Sequence, residues 1–383
     1  MFLALRDLRF ATGRFALMGS VVALISLLLV MLSGLTAGLG GQNTAAIDRL
    51  GEQGVQRLVF GGAADQEPTA SFTQSEFTVA QRDAWAATDG VASVEPLGVS
   101  QGRAIGLEHP VDTDPQGRAD VSGEPTTGVA TTAFIGLTPG GSDAPAGVEP
   151  GEIVLSQDVA DSLHAEAGDA VAVSGFVYTV ADVVPTEYYS HSPVTWLALE
   201  DWNAISHTAD DAVLGTAGLV RFDADADVDA VAAAGDDAAG TVAETVKGSY
   251  AALPSYRSEN GSLMTMQGFL YGISALVVIA FLSIWTVQRT RDIAVLKALG
   301  GSNGWVLKDS LAQAAFVLVG GVAVGAGLAA VIGAFAGRAV PFELSWATTA
   351  VPAAGVLVLG MLAAVVAVYR VTRIDPLVAL GGN

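Results

Sequence analysis

The chain has 383 residues, of which 51% are hydrophobic and 15% are charged, and its mean hydropathy is +0.49. Soluble domains carry about 25% charged residues, so this composition excludes a wholly soluble protein. The formal net charge of −21 argues against nucleic acid, which needs Lys and Arg for its phosphates, and the lack of cysteine excludes disulfides, thiolate-bound zinc and cysteine nucleophiles.

Four long stretches contain no Asp, Glu, Lys or Arg, and each could hold a membrane-spanning helix, which needs about 20 apolar residues. These stretches are Phe15–Ile47, Asn260–Gln288, Ser310–Gly337 and Leu344–Tyr369. We predict transmembrane helices at 15–38, 266–286, 313–336 and 348–369. The first apolar segment is longer than the roughly 7–15 residues found in a signal peptide, so it predicts an uncleaved anchor.

The charges are unevenly divided between the segments. Residues 39–259 carry 34 acidic and 8 basic side chains, a net charge of −26, whereas the remainder has a net charge of +5. Of the ten basic residues in the remainder, nine flank the predicted spans on one side, and only Arg338 lies on the other. The positive-inside rule therefore predicts a multi-pass protein of the cell membrane with an extracellular acidic domain. The remaining segments are then an amphipathic cytoplasmic N-terminus at 1–14, a cytoplasmic loop at 287–312, a short outer loop at 337–347 and a cytoplasmic tail at 370–383.

The segment 39–262 is predicted to be an α+β domain, because short apolar stretches alternate with turns that contain Gly and Asp. Its strands are predicted at 55–60, 91–99, 128–137, 152–155, 170–173 and 176–184, and its helices after Thr78 and at 158–165. Two subdomains are expected, one of them an insertion at about 126–204. The predicted fold class is a membrane protein with four transmembrane α-helices (1+3) and an extracellular α+β domain inserted between the first and second.

The sequence lacks the motifs of a conventional enzyme. A Walker A motif requires Gly before Lys, but the three lysines follow Val246, Leu296 and Leu307. The chain is therefore predicted not to be an enzyme, and any ATP hydrolysis must come from a partner. The small residues from Gly321 to Gly337 predict close helix packing rather than a dinucleotide site. The Asp residues at 223–229 predict a solvated linker, since Val228 stands where a calcium loop needs Gly.

A short amphipathic helix is predicted in the cytoplasmic loop, from Arg291 to Leu299. Asp292 near its N-terminus and Lys297 in its last turn favour the helix, and Gly300 ends it. Its apolar ridge could lie on the lipid surface or insert into a cytoplasmic partner, and the pattern leaves both open. The candidate partner-coupling residues are Arg291, Asp292, Ile293, Leu296, Lys297, Leu299 and Gly300.

A second group of residues combines Tyr, Met, His and Glu around the predicted outer end of the second span. Tyr, His and Met are side chains that ligate haem iron. Ordinary interfacial aromatics and core methionines are the alternative. The candidate cargo-binding residues are Glu259, Met264, Met266, Tyr271, Tyr256, Glu343, Tyr188, Tyr189 and His191.

Residues Arg289–Gly300, RTRDIAVLKALG, resemble the coupling segment R-x-R-E-I-A-V-L-K-A-L-G of FtsX/MacB-type (type VII) ABC transporter permeases. The tail Arg373–Leu377 and the segment Gly151–Ser156 are also similar to that family. The resemblance implies a homodimer in the lipid bilayer with two copies of a separate ABC ATPase subunit, which binds ATP and Mg. It also implies that the 291–299 helix docks on this ATPase, and that cargo is expelled from the outer leaflet by mechanotransmission.

Within this family, the size and four-span layout resemble the haem-exporter permeases of Gram-positive bacteria (HrtB-like). This resemblance implies that haem is the cargo, with no intrinsic cofactor and no intrinsic metal. Two alternatives stay open. The same machine could export a lipid, lipopeptide or antimicrobial peptide, or the chain could be a non-transporting signal transmitter to a cell-wall hydrolase.

Overall fold

The computed structural model describes residues 12–62, 66–206, 212–288 and 303–372. The chain divides into two units. The helical unit comprises residues 1–39 and 260–383, and the β-rich unit comprises residues 40–259. Each unit has its own apolar core, as the clusters described below show.

Four long helices in the described part of the chain are long and apolar enough to cross a membrane. They are α1 (Thr12–Glu52), α6 (Pro254–Gln288), α7 (Asn303–Ala336) and α8 (Trp346–Thr372). Because all the strands lie between α1 and α6 in sequence, the predicted 1+3 membrane fold with an inserted α+β domain is confirmed. The helices extend beyond the predicted spans, since helical backbone continues into the polar residues that flank the apolar stretches.

The helical unit packs α7 closely against α1. A Cβ atom on Gly325 would lie 2.2 Å from the carbonyl oxygen of Ala23, and one on Gly321 would lie 2.9 Å from that of Gly19. Such distances leave no room for a side chain, so the two backbones approach each other directly. The small residues of this span therefore form a packing seam within one chain.

The elements of the β-rich unit follow one another in this order. The strands are β1 (Arg57–Phe60), β2 (Phe77–Thr78), β3 (Val91–Leu107), β4 (Thr126–Leu137), β5 (Glu152–Ser156), β6 (Ala170–Val173), β7 (Phe176–Val184), β8 (Tyr188–Tyr189), β9 (Ser192–Ala198), β10 (Val213–Gly215), β11 (Ala217–Phe222) and β12 (Val242–Thr245). The helices are α2 (Val79–Ala86), α3 (Gln157–Leu163), α4 (Leu199–Ile205) and α5 (Val228–Ala239), with a 3-10 turn at Gly248–Ala252. Thr78 caps α2 through a capping box with Gln81, as its spacing from the helix predicts.

Six strands of the main sheet form a closed ring in the order β3-β4-β9-β5-β7-β6, because β6 also pairs with β3. The β4–β9 and β5–β7 pairs are parallel, and the other pairs of the ring are antiparallel. Phe134, Leu155 and Val173 belong to one buried cluster on this ring, together with Trp202 of α4. The ring thus has an apolar core of its own.

The structure differs from the predicted insertion at 126–204, because β3 joins both parts of the sheet. Its first half pairs with β11 as far as Leu97, and its second half pairs with β4 from Gly98 onward. The sequence prediction ends this strand at Val99, whereas the observed strand continues through Gly102 and Gly106 to Leu107. In the structure, these glycines leave space for side chains of neighbouring elements.

The other part of the sheet, β12-β1-β11-β3, buries both of its faces. Leu58 packs in a cluster with Ile47 and Leu50 from the end of α1. The next residue, Val59, packs in a different cluster with Trp85 of α2. Successive side chains of a strand point to opposite faces, so α1 covers one face and α2 covers the other.

Candidate functional site

The hairpin loop between β8 and β9 consists of Ser190 and His191, since Tyr189 pairs with Ser192. Both loop residues have positive φ angles, 48° and 63°. A two-residue hairpin loop needs this conformation, which is uncommon for a residue such as Ser. Residues in sparsely populated backbone conformations concentrate at functional sites, which makes this loop a candidate.

Two backbone hydrogen bonds hold the loop against α1. The N–H of Ser190 donates to the carbonyl oxygen of Asn43 (3.0 Å), and the N–H of His191 donates to that of Gln42 (2.9 Å). The hydroxyls of Ser190 and Ser255 lie 2.8 Å apart, which connects the loop to the first turn of α6. The loop therefore joins α1 and α6 within the β-rich unit.

The side chains of the loop continue this network. Nε2 of His191 lies 2.9 Å from Oε2 of Glu259 and 3.0 Å from Nδ2 of Asn43. Nδ2 of Asn43 also donates to Oε2 of Glu259 (3.2 Å), and Ser255 donates to Oδ1 of Asn43 (2.7 Å). In the tautomer with the proton on Nε2, His191 donates to the carboxylate, which then accepts from both neighbours, and the contact between Nε2 and Nδ2 of Asn43 is not itself a hydrogen bond. We call these five residues, Asn43, Ser190, His191, Ser255 and Glu259, the polar cluster.

The structure brings together two of the sequence-predicted residues, His191 and Glu259. Asn43 and Ser255 were missed by sequence reasoning. The signal that could have found Asn43 is the polar pair Gln42-Asn43 inside a long uncharged stretch that otherwise reads as a span.

Tyr188 and Tyr189 have partners elsewhere in the β-rich unit. Tyr188 donates to the carboxylate of Asp158, and this bond raises the pKa of Tyr188 to about 12. Tyr189 is buried, its ring centroid lies 5.7 Å from that of Phe72, and burial raises its pKa. These contacts give both tyrosines structural roles in this unit.

Tyr256 packs edge-on against Tyr250, with the ring centroids 5.4 Å apart. Tyr250 donates to the carboxylate of Asp48 on α1. The pKa of Tyr250 is raised, mainly because the hydroxyl is buried and secondly because of this hydrogen bond. The pair thus forms a second link between α1 and the chain segment that begins α6.

The helical unit contains an apolar groove with a volume of about 570 Å³. Its walls come from α1, α6 and the segment around the end of α7, and every lining side chain is apolar. The lining residues are Leu28, Met31, Leu32, Leu35, Met266, Phe269, Leu270, Ala336, Val340 and Phe342. Its volume falls within the range of small-molecule sites, about 300–1,000 Å³.

Phe342 is held in this groove by two glycines. A Cβ atom on Gly34 of α1 would lie 2.3 Å from the Phe342 ring, and one on Gly333 of α7 would lie 2.5 Å from it. The ring therefore fills a notch that only glycines leave open. The next residue, Glu343, donates its backbone N–H to the carbonyl oxygen of Gly34 (3.0 Å), and its side chain is exposed.

The remaining cargo candidates of the sequence lie at different places in the helical unit. Met266 lines the groove, whereas Met264 is 62% exposed and does not line it. The Tyr271 ring packs against Gly355 of α8. The candidate coupling residues, from Arg291 to Gly300, and the tail from Arg373 lie outside the described residues.

We expect Glu259→Leu to loosen the polar cluster, because His191 and Asn43 lose their shared acceptor. A hydrogen bond to a charged group contributes about 1.5–3 kcal/mol, and partial exposure reduces this to about 1 kcal/mol, or about fivefold faster local opening. Hydrogen exchange of the full chain should show faster exchange at residues 190–191. Glu108→Gln, an exposed carboxylate elsewhere in the unit, is the control. Unchanged exchange in Glu259→Leu would contradict the assignment.

Residues 264–376 match the model of the FtsX-like permease C-terminal family. The chain is 21% identical over its whole length to the whole of the putative hemin transport system permease protein HrtB of Staphylococcus epidermidis RP62A. It is 29% identical to HrtB of Staphylococcus haemolyticus over 34% of this chain and 37% of that protein. It is also 29% identical to the uncharacterized ABC transporter permease YknZ of Bacillus subtilis 168, over 31% of each chain. Residues 264–376 thus match an FtsX-like permease domain, and the chain as a whole is similar to ABC transporter permeases.

Proposed function

We propose that this permease is the membrane subunit of an ATP-driven exporter that expels an amphiphilic cargo, with haem as the favoured cargo. The observation that carries the proposal is the apolar groove, whose walls suit the flat apolar body of such a molecule. The full-length similarity to proteins named as hemin transport permeases supports haem in particular.

The proposed complex is a homodimer of this chain with two copies of a separate ABC ATPase. The absence of a Gly-Lys pair from the sequence supports a separate ATPase, since phosphate binding in a Walker A loop needs both residues. The charge distribution supports cytoplasmic termini and an extracellular β-rich unit. In this arrangement the predicted helix at 291–299 faces the ATPase.

The proposed mechanism is mechanotransmission. ATP binding by the partner subunits would shift the helices, and the motion would pass along α1 and α6. The polar cluster supports this route, because it ties both helices to the hairpin of β8 and β9 by direct hydrogen bonds. The sheet that contains β9 would then move with the helices and drive cargo out of the groove.

We expect the purified complex to show a Soret band when haemin is added, and Met266→Leu to change that band. Met266 lines the groove and its thioether can ligate haem iron, whereas leucine cannot. Met264→Leu is the matched control, because Met264 lies two residues away on the same helix and outside the groove. An identical spectral change in both variants would show that the groove does not hold the iron.

The cellular test separates haem from the other cargoes. Deleting the gene should sensitise cells to haemin, because outward transport of haem is lost. Unchanged haemin tolerance, together with no Soret band in the purified complex, would favour export of a lipid, lipopeptide or antimicrobial peptide, or signalling to a cell-wall hydrolase.

A further inference from the structure

Gln267 is a polar side chain in a stretch of α6 that contains no charged residue. Its Nε2 donates to Oγ1 of Thr36 on α1 (3.2 Å). The Thr36 hydroxyl in turn donates to the carbonyl oxygen of Leu32 on its own helix (2.7 Å). One hydroxyl thus accepts one hydrogen bond and donates another, which uses both of its capacities. We call the pair of Gln267 and Thr36 the interhelical clasp.

The clasp lies beside the apolar groove. Leu35 lines the groove and immediately precedes Thr36 on α1, and Met266 lines it and immediately precedes Gln267 on α6. Leu32, whose carbonyl accepts from Thr36, is a lining residue as well. Successive helical residues differ by about 100° in direction, so the clasp residues face each other next to the groove rather than point into it. The hydrogen bond therefore joins the two helices at the level of the groove.

Apolar packing between α1 and the other helices is concentrated elsewhere. Among the described residues, the fully buried members of the apolar cluster lie at 15–29 on α1 and at 278–282 on α6. The lining residues of the groove lie at 28–35 and 266–270, beyond that cluster along both helices. Because the space between the groove walls is open, apolar contacts alone do not fix the helix separation there. A hydrogen bond between helices in apolar surroundings shifts an equilibrium about threefold, enough to affect that separation.

We propose that Gln267 and Thr36 are positioning residues of the cargo site, which hold α1 and α6 at the separation that shapes the groove. The inference rests on the proposed function in that the groove is where the cargo binds. It adds a polar pair that acts through the lining residues beside it, without touching the cargo. Neither residue was among the cargo-binding candidates of the sequence.

The first measurement observes the groove without any cargo. The chain contains no cysteine, so Leu32→Cys gives the full-length permease a single thiol in the groove wall. Its rate of alkylation by N-ethylmaleimide is measured in phosphatidylcholine nanodiscs. We expect Gln267→Leu and Thr36→Val each to raise this rate about threefold, because the helices separate more readily without the clasp. Thr36→Ser should keep the unchanged rate, since serine retains the hydroxyl.

Thr265→Val is the matched control. Thr265 lies two residues from Gln267 on α6, but its hydroxyl donates to the carbonyl oxygen of Gly261 within the same helix (2.7 Å). Its replacement should leave the alkylation rate unchanged. The double variant of Gln267→Leu and Thr36→Val should react no faster than either single variant, because both changes remove the same hydrogen bond.

The second measurement connects the clasp to cargo. Haemin is titrated against the same variants with Leu32 retained, and we expect Gln267→Leu and Thr36→Val to weaken binding about threefold and Thr36→Ser to bind as the unchanged protein does. Equal alkylation rates in all variants would overturn the inference, and so would an equal increase in Thr265→Val. Faster alkylation with unchanged haemin affinity would overturn the positioning role. If haemin does not bind the unchanged protein but the alkylation pattern is as expected, the clasp is supported and haem is rejected as cargo.

Discussion

We expect Leu296→Asp to reduce the ATP turnover of the complex to its basal rate in the presence of cargo. Leu296 is central in the apolar ridge of the predicted helix at 291–299, and a carboxylate there cannot be buried in a docking pocket without a large desolvation cost. The partner ATPase would then hydrolyse ATP at a rate that does not respond to cargo binding by the permease. The measurement is ATPase activity of the reconstituted complex with and without cargo.

Ala298→Asp is the matched control for this prediction. It introduces the same charge on the same short segment, but about 200° around the helix from Leu296, away from the ridge. Both variants should insert into the membrane at normal levels, since neither changes a predicted span. If cargo still stimulates ATP hydrolysis normally in Leu296→Asp, the docking role is contradicted. If both variants lose this stimulation, the effect is not specific to the apolar ridge.

The membrane fold could be predicted because its signal is local and strong. In a chain of this composition, a long apolar stretch without charged residues is stable as a helix in the lipid bilayer, where the helix satisfies its own backbone hydrogen bonds. The ends of the helices could not be predicted in the same way. α1 continues past Asn43 and Asp48 to Glu52, and α6 already begins at Pro254. Those turns are stabilised by packing and hydrogen bonds within the β-rich unit, which no apolar stretch reveals.

The sheet shows the same contrast between local and distant signals. Strands β6 and β7 were predicted with their observed ends, because a Ser174-Gly175 turn separates two alternating apolar stretches. The closed ring was not predicted, since it depends on the pairing of β3 with β6 across more than 60 residues of sequence. The alternation of apolar residues indicates which residues form a strand, but it does not indicate the strand with which they pair.

The candidate sites depend even more than the sheet does on contacts between residues that are far apart in the sequence. His191 and Glu259 were each selected by residue type, yet only the fold places them in one hydrogen-bonded cluster with Asn43. The groove could not be predicted, because it depends on Phe342 fitting between Gly34 and Gly333. Of the ten basic residues outside segment 39–259, Arg338 was the only one on the outer side of the predicted membrane. That signal was used to assign the topology.

We expect Trp202→Ala to destabilise the β-rich unit strongly. Trp202 of α4 is buried, and its Nε1 donates to Oγ of Ser100 (3.0 Å). Its indole packs on Gly98 and Gly136, which face each other across β3 and β4. Removing a buried tryptophan costs about 3–5 kcal/mol. Limited proteolysis of the full-length permease should show faster cleavage of the β-rich unit, whereas Trp346→Ala, at a tryptophan that is 80% exposed, should not.

Gly98→Ala tests the same packing from the side of the sheet. A Cβ atom at this position would lie 2.2 Å from Cδ2 of Trp202, so the indole must shift and the unit should lose about 1–3 kcal/mol. If the clash with Trp202 causes this loss, the added methyl group has room once the indole is gone. The double variant of Gly98→Ala and Trp202→Ala should then be less unstable than the sum of the two single changes. Additive losses would mean that Gly98 is required for its own backbone rather than for the tryptophan, and the notch between β3 and β4 would have no role in holding α4.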